Sequence, residues 1–573
     1  MMKSLRNVSL FVFAFVILFH LINNLIWFHK DGYAVHGCHS VWHEKLSIDL
    51  YQSLFDEETP FYKRILRPFE YFKISRYGYS FSITSYSLTN FFLIFPYLVP
   101  LSGQTKLLLI CLLNYFHLIG VLFAMIWLGT ILFNRTIGLW SAIILSFYPG
   151  IIGLSRKVNV ALVTTLCVIM FIIFLMKWKT FKRIAWAFLM AVLFCLGALS
   201  SPLYFAFSLP LLFFHVIYAI YADKRKARRT LALVLFILIC SLFFYWYSGG
   251  SYTKVVFNFK DNMTEAYDKF TFKSDSFIGS AKEGLVESFL FAPQDSVCPC
   301  TQTTNVGCNL KTFLFYIMQC IKYTSPLFFI LGILSFLMLM KNKNIPWYTK
   351  NILTFWIIGG YVILSIFHIK WGKFCAPMLP VLALSNAYVI NEWKRWRNIN
   401  KFILTTIGIG VILYYSYIPY PRIHSLEKLT EGLVSHRPLP TVFVPTAQKT
   451  ANTIINTMPD IKGRLKIAFV DKDSLRFEGE WVTDMSLRVG LLVSTFISRP
   501  YTMEYFWSLD EYKMEYFNGY HFFVVLSHIK VKDMHKYLFL NDEKSRKQRL
   551  LIFSENVLNE STFLYVVRIQ VLD

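Results

Sequence analysis

Between residues 8 and 418 the chain is a succession of apolar stretches, several close to twenty residues long and nearly free of charge, and past residue 418 the succession ends. A hydrocarbon core of about 30 Å is crossed by about 20 apolar residues in helical form, since a helix satisfies its own backbone N–H and C=O groups where no water can. Segments 159–176, 229–247 and 402–418 meet or approach that length. The pattern predicts a polytopic α-helical membrane protein with a soluble C-terminal portion. Only 16% of residues are charged and 55% are hydrophobic, against about 25% charged in ordinary soluble chains. Most of the chain is therefore expected to be solvated by lipid.

The net charge of +24 would suit a nucleic-acid binder, but its placement argues for topology instead. Basic residues gather in short turns between apolar stretches, as in Lys177, Lys179, Lys182 and Arg183, or Lys224, Arg225, Lys226, Arg228 and Arg229. Such turns stay on the cytoplasmic side. No basic stripe interleaved with aromatics marks a soluble stretch, which removes nucleic acid from the expected partners and leaves the lipid bilayer.

Lys3 and Arg6, ahead of the first apolar run at 8–27, assign the N-terminus to the cytoplasm, and that run lacks a small-residue cleavage site and so reads as an anchor. Basic turns at 177–183, 224–229, 341–350 and 394–401 are all cytoplasmic if the later spans are 159–176, 184–200, 203–222, 230–247, 312–340, 351–368, 374–391 and 402–418. Between residue 29 and residues 155–157, both then outside, the number of crossings must be even, yet three apolar runs compete: 86–101, 107–133 and 137–153. The first is the shortest and carries Pro96 and Pro100, so it is assigned as juxtamembrane or re-entrant. About eleven transmembrane helices result, with an extracytoplasmic C-terminal tail.

The expected domains are a transmembrane domain at 1–418, with external loops 29–84 and 249–311, and an extracytoplasmic α/β domain at 419–573. Within the tail, 446–457 carries a helical pattern, and 465–470, 521–526 and 563–569 read as buried strands. Cys111, Cys167, Cys195 and Cys240 fall inside spans and are packing residues. Cys298, Cys300 and Cys308 share the second loop, with Cys38 in the first. A bridge such as Cys300–Cys308 suits an oxidising compartment, while a zinc site from the trio lacks a nearby fourth ligand.

The apolar run 132–147, followed by Tyr148-Pro149-Gly150-Ile151-Ile152-Gly153-Leu154-Ser155-Arg156, a further span and a basic turn, resembles the polytopic glycosyltransferases of the C-type fold. These are the relatives of protein O-mannosyltransferases and aminoarabinose transferases. Lys370-Trp371-Gly372-Lys373-Phe374-Cys375-Ala376-Pro377-Met378-Leu379-Pro380 is similar to a basic-aromatic-Pro-x-x-Pro signature that opens a late span in that family. His43, Ser47, Tyr51 and Leu54 match the helical spacing that follows its catalytic acid. The resemblance covers residues 8–400, and the order of the motifs carries it.

What the resemblance implies is transfer of a sugar from a polyprenyl-phosphate donor to a glycan, lipid or protein acceptor on the extracytoplasmic face. The donor's phosphate lies at the headgroup plane, where a basic side chain at the end of a span can reach it without entering hydrocarbon. Arg156, Lys157, Lys370 and Lys373 stand at outer span ends in this topology, and a guanidinium such as that of Arg156 can fork onto two phosphate oxygens. The plainer alternative is that they anchor spans at the interface. Their position opposite to the positive-inside preference favours the phosphate role.

Glycosyl transfer also needs a base for the acceptor hydroxyl and, in some enzymes, a divalent metal against the leaving phosphate. Glu44 and Asp31 are the candidate bases. His39 and His43 are four apart and share a face if 38–53 is helical, which makes them candidate metal ligands. Against that, they suit the polar face of an interfacial helix whose apolar side carries Leu46, Leu50 and Leu54.

Three departures from the family pattern stand beside these candidates. The family's aspartate aligns with about Cys38 or His39; its acid some five residues after Ser155-Arg156 meets Lys157-Val158-Asn159-Val160-Ala161; and its threonine–lysine pair meets Leu199-Ser200-Ser201-Pro202. A catalytically inactive paralogue acting in envelope glycan assembly or binding is therefore the alternative. A transporter of lipid-linked sugars would carry mid-membrane charges that these spans nearly lack.

Overall fold

The computed structural model describes residues 2–31, 88–99, 101–155, 158–178, 184–201, 203–222, 234–243, 310–366, 372–392, 443–457, 465–471, 489–497 apart from 491, 501–506, 520–527, 530–532, 548–559 and 562–571, with isolated positions between 47 and 62. The chain divides into two compact units, one of Met1–Asn24, Phe72–Thr89 and Asn114–Ser435, the other of Leu25–Tyr71, Asn90–Leu113 and His436–Asp573. The helices in chain order are α1 (Met2–Asp31), α2 (Leu88–Leu93), α3 (Phe95–Leu98), α4 (Gly103–Leu132), α5 (Arg135–Ser146), α6 (Pro149–Ser155), α7 (Ala161–Trp178), α8 (Ile184–Ser200), α9 (Tyr204–Ala222), α10 (Val234–Phe243), α11 (Leu310–Thr324), α12 (Pro326–Lys341), α13 (Trp347–Thr354), α14 (Gly360–Ile366), α15 (Leu379–Glu392) and α16 (Phe443–Thr457). A π turn, Phe355–Gly359, joins α13 to α14, and a 3-10 helix, Gly372–Met378, leads into α15.

Among the described residues, Gly103–Leu132, Ala161–Trp178 and Lys373–Glu392 are long and apolar enough to cross a membrane, and two bent helix pairs raise the number to five if each pair is one span. The segments 159–176, 184–200 and 203–222 are the helices α7, α8 and α9. Among its described residues, segment 86–101 contains α2 and α3, of six and four residues, neither able to cross about 30 Å. Segment 402–418 lies outside the described residues.

The expected span 137–153 is the bent pair α5 and α6, inclined at 72°. Pro149 opens α6, since it cannot continue a helix but is tolerated in a first turn. The expected span 312–340 is likewise a bent pair, α11 and α12, whose segments Leu314–Ile321 and Pro326–Lys341 are inclined at 113°. Pro326 begins α12, and Ser325 before it takes φ 76° and ψ 151°. A proline disfavours helical backbone in the residue ahead of it, and so rare a conformation costs about 1–3 kcal/mol, which the surrounding packing must offset. α11 is the less apolar of the two, carrying Lys311, Gln319 and Lys322, whereas α12 is apolar from Pro326 to Met340 but for Ser335.

In the first unit, α15 packs against α5 and α12, and α7 against α8. The backbones of α4 and α5 approach closely, because a Cβ on Gly129 would lie 2.4 Å from the Gly138 Cα. Small residues at such a crossing are how helices gain contact in lipid, where no hydrophobic drive brings them together.

In the second unit a five-stranded sheet runs in the order β2-β1-β3-β5-β4. Its strands are β1 (Leu465–Asp471), β2 (Tyr501–Phe506), β3 (Phe522–Ser527), β4 (Gln548–Asn559) and β5 (Thr562–Val571). β1 is parallel to both β2 and β3, placing Phe469 opposite Tyr505 and Val524, while β3–β5 and β5–β4 are antiparallel. All six residues of β3 are buried, which is why it reads as an unbroken apolar run instead of an alternating one. α16 packs on β4 and β5, and Asn556 Nδ2 donates to Thr450 Oγ1 at 3.2 Å.

Candidate functional site

The two stretches that carry the family resemblance meet in the first unit. α6, which ends the Tyr148–Ser155 motif, packs against the 3-10 helix Gly372–Met378, and α11 packs against both. At Gly150 a Cβ would lie 2.1 Å from the Tyr323 Cδ1, so only glycine lets the α11 ring lie on α6. Asn386 of α15 donates to Tyr148 OH and to the Phe328 carbonyl, both at 3.3 Å, and accepts from Ser335 Oγ at 3.3 Å. The Trp356 indole N–H donates to the Pro377 carbonyl at 2.8 Å, holding the 3-10 helix by its own backbone. Seven residues is long for a 3-10 helix, whose hydrogen bonds are poorer than those of an α-helix.

The link from α6 to α7 is built from buried amides. Asn159 Nδ2 donates to the Leu154 carbonyl at 3.0 Å, and its Oδ1 accepts from Ala161 N at 2.9 Å, which starts α7 with an Asx turn. Asn114 of α4 donates to the carbonyls of both Leu154, at 3.3 Å, and Asn159, at 3.4 Å. Asn24 of α1 donates to Ser155 Oγ at 3.3 Å, and Ser155 Oγ donates to the Ile152 carbonyl at 2.8 Å. Nearby, Thr164 Oγ1 and Ser200 Oγ share a hydrogen bond of 3.2 Å that ties the end of α8 to the start of α7. Ser200 thus has a structural use at a position where the family shows a different pair.

The second unit holds a buried cation. Lys106, in the first turn of α4, is only 7% exposed, and its Nζ stands 5.8 Å from the centroid of the Tyr97 ring. Ser102 precedes the helix, accepting from Thr105 N at 3.2 Å. Among the described residues no carboxylate and no hydrogen-bond acceptor meets the ammonium. A lysine at a helix N-terminus faces the positive end of the helix dipole, and burial without a counter-charge adds a desolvation penalty. Both unfavourable effects are relieved by an anion.

Lys373 is half-buried in the 3-10 helix. Asp31 is the last residue of α1. Arg156, Lys157, Lys370, Glu44, His39 and His43 lie outside the described residues, as do Cys38, Cys298, Cys300 and Cys308. Cys167, Cys195, Cys240, Cys320 and Cys375 are buried thiols. Among the described residues no three His, Cys, Asp or Glu side chains converge on a metal position, so the fit of a divalent ion turns on residues outside them. Sequence reasoning missed Lys106 and Asn114. Asn114 was visible as an isolated polar residue in an otherwise apolar run, and an intramembrane polar residue is a candidate functional position by default; Lys106, after Ser102-Gly103-Gln104-Thr105, stands at the polar edge of that run.

No family model and no curated protein matches the sequence. Among solved structures the chain is similar to ArnT from Cupriavidus metallidurans bound to undecaprenyl phosphate, with TM-score 0.52 and 11% identity over 96% of this chain and 97% of that one. It is also similar to AglB, the oligosaccharyltransferase of Archaeoglobus fulgidus, in complex with an inhibitory peptide and a dolichol-phosphate, with TM-score 0.49 and 10% identity over 98% of this chain and 74% of that one. Against the apo form of the Archaeoglobus fulgidus oligosaccharyltransferase the TM-score is 0.48 at 10% identity, and the match spans 86% of this chain and 64% of that one, under two thirds of its length. At such identities the likeness is one of fold. The chain has the C-type fold of polytopic membrane glycosyltransferases.

Proposed function

We propose that the chain is an integral-membrane glycosyltransferase that moves a sugar from a polyprenyl-phosphate donor to a glycan, lipid or protein acceptor on the extracytoplasmic face. The observation that carries the reading is Lys106, a buried ammonium with no counter-ion among the described residues, in a chain with the fold of ArnT, whose solved structure holds undecaprenyl phosphate. A lipid-linked phosphate supplies the missing charge. Arg156, Lys157, Lys370 and Lys373 of the first unit are proposed, independently of Lys106, as ligands of a donor phosphate, with the tail at 419–573 as an extracytoplasmic α/β domain and the N-terminus in the cytoplasm.

In the proposed reaction the acceptor hydroxyl oxygen forms a bond to the anomeric carbon as the bond from that carbon to the phosphate oxygen breaks. The bonding pair leaves with the polyprenyl phosphate, and basic side chains stabilise its growing charge. The hydroxyl proton passes to a carboxylate, for which Glu44 and Asp31 are proposed.

The test is glycan transfer by the purified chain from a polyprenyl-phosphate sugar, with Glu44→Ala, Asp31→Ala and Arg156→Ala compared with the native sequence. Loss of transfer in the Arg156 variant and in one carboxylate variant is expected. Native-like transfer in all three removes the site assignment. A second reading, a catalytically inactive paralogue in envelope glycan assembly or binding, is favoured by the use of Asn159 and Ser200 as structural hydrogen-bonding residues near two of the three departures. It predicts carrier binding without transfer.

A further inference from the structure

We infer that Tyr97 and Thr495 complete, with Lys106, a binding site for one phosphate-type oxyanion, so that a residue of the C-terminal portion takes part in recognising it. The inference rests on the proposed role of Lys106 as a phosphate ligand and names the groups that surround the phosphate there. All three residues belong to the second unit, and all are buried, Thr495 completely. Tyr97 stands in α3, Lys106 in the first turn of α4, and Thr495 in the helical stretch 492–496. Two contacts bring that stretch to the place. The Tyr97 hydroxyl and Thr495 Oγ1 are 3.5 Å apart. At Gly103, which opens α4, a Cβ would lie 2.1 Å from the Phe496 Cδ1, so the chain beside Thr495 rests directly on the first turn of the helix.

The chemistry of the cluster is one-sided. An ammonium offers a positive charge and three donors but no acceptor, and each hydroxyl offers one proton. The ammonium lies 5.8 Å from the centre of the Tyr97 ring, and the hydroxyl of that ring meets Thr495, so charge, phenol and alcohol follow one another. An O–H···O bond ordinarily measures about 2.7–2.8 Å. At 3.5 Å the two hydroxyls are spaced less for each other than for an oxygen, or two oxygens of one tetrahedral group, accepting from both. The N-terminal end of α4 adds the positive end of its dipole. Among the described residues no carboxylate meets Lys106. A neutral ligand leaves the buried charge uncompensated, whereas a phosphate group brings both the opposite charge and oxygens enough for three side chains. A lipid headgroup and the free ion share that chemistry. The plainer alternative, that Thr495 only closes the packing of 492–496 on α3, needs no ammonium beside it.

The test uses the full-length chain in detergent, with undecaprenyl phosphate, inorganic phosphate and the neutral undecaprenol as probes. Tyr97→Phe keeps the ring near the ammonium and removes the hydroxyl, and Thr495→Val keeps the shape and removes the hydroxyl. Each is expected to weaken binding of undecaprenyl phosphate by about tenfold, the worth of one hydrogen bond to a charged group, and to leave undecaprenol binding unchanged. Thr495→Ser, which keeps a hydroxyl, is expected to bind undecaprenyl phosphate as the native chain does. A packing role moves both lipid probes alike and lowers the unfolding midpoint without changing the preference for phosphate over alcohol. In a double-mutant cycle the losses in Lys106→Met and Thr495→Val overlap, because both act on one anion; fully additive losses overturn the inference. A native-like preference for phosphate in both Tyr97→Phe and Thr495→Val, with Lys106→Met weakened, overturns it too and leaves the phosphate role of Lys106 standing. Inorganic phosphate held through all three side chains, with undecaprenyl phosphate not bound, upholds the site and removes the polyprenyl carrier. If Lys106→Met binds both phosphates as the native chain does, the inference and the phosphate role of Lys106 fall together.

Discussion

Replacing Lys106 by methionine should move stability and carrier binding in opposite directions. Methionine fills a similar flexible volume without charge. Burying an unpaired ion costs several kcal/mol after relaxation, and a position at the N-terminal end of α4 adds an unfavourable dipole contribution of about 0.3–1 kcal/mol. The compensation visible in the structure is the Tyr97 ring 5.8 Å away, a contact of roughly 0.5–2 kcal/mol depending on its desolvation. Among the described residues, that balance leaves Lys106 destabilising in the absence of an anion. Lys106→Met should therefore leave the thermal unfolding midpoint unchanged or raised. The same change removes a charge-assisted hydrogen bond to phosphate of about 1.5–3 kcal/mol, which corresponds to a loss of about ten- to a hundredfold in affinity. Thermal unfolding and undecaprenyl-phosphate binding, measured on one preparation in one detergent, test both. A midpoint that falls while affinity stays native refutes the reasoning, because Lys106 would then be a structural cation and Tyr97 its sufficient partner.

Gly150→Ala should destabilise the first unit by about 1–3 kcal/mol, as overpacking in a filled core does, because the new Cβ would lie 2.1 Å from the Tyr323 ring; adding Tyr323→Leu should recover most of the loss in thermal unfolding, and no recovery would show that the strain arises elsewhere. Burial raises the Tyr565 phenol above its ordinary value, so the stability it contributes is complete below the unfolded phenol's range and is lost as pH rises through the folded value. Unfolding of the C-terminal unit should accordingly become easier above about pH 10, and Tyr565→Phe should flatten that dependence. The same variant should cost about 1 kcal/mol at neutral pH, because Val531 N loses the hydroxyl it donates to at 2.9 Å. An unchanged alkaline profile in Tyr565→Phe would assign the effect to another group.

Much of the helical architecture is legible in the sequence because lipid leaves the backbone little choice. An apolar run such as 159–176 must satisfy its own hydrogen bonds, and α7 is the result. The buried strands are legible for a related reason: Phe522–Ser527 is apolar on both faces, which suits a parallel strand covered on both sides. β2 and β4 went unread, since mixed sequences such as YTMEYF and QRLLIFSENVLN carry no comparable run. The candidate site was less legible still. Arg156 and Lys373 drew attention through motifs, whereas Lys106 looked like the ordinary charged end of a span until its burial was known.

The chain's own order of apolar runs and prolines determined where many of its described helices lie and that several are apolar enough to cross a membrane, since those follow from local hydrophobicity and a missing N–H. Pro149 and Pro326 stand inside the runs 137–153 and 312–340 that were read as single spans, and the 72° and 113° turns were not legible there. A bend angle depends on what the second helix packs against, and that is set by residues far along the chain. The same holds for the meeting of α6 with the 3-10 helix, for the sheet order, and for the amide of Asn114 between two carbonyls. Hydrophobic length is a local property, whereas a hydrogen bond between residues 114 and 159 exists only once the tertiary structure has brought its two partners together.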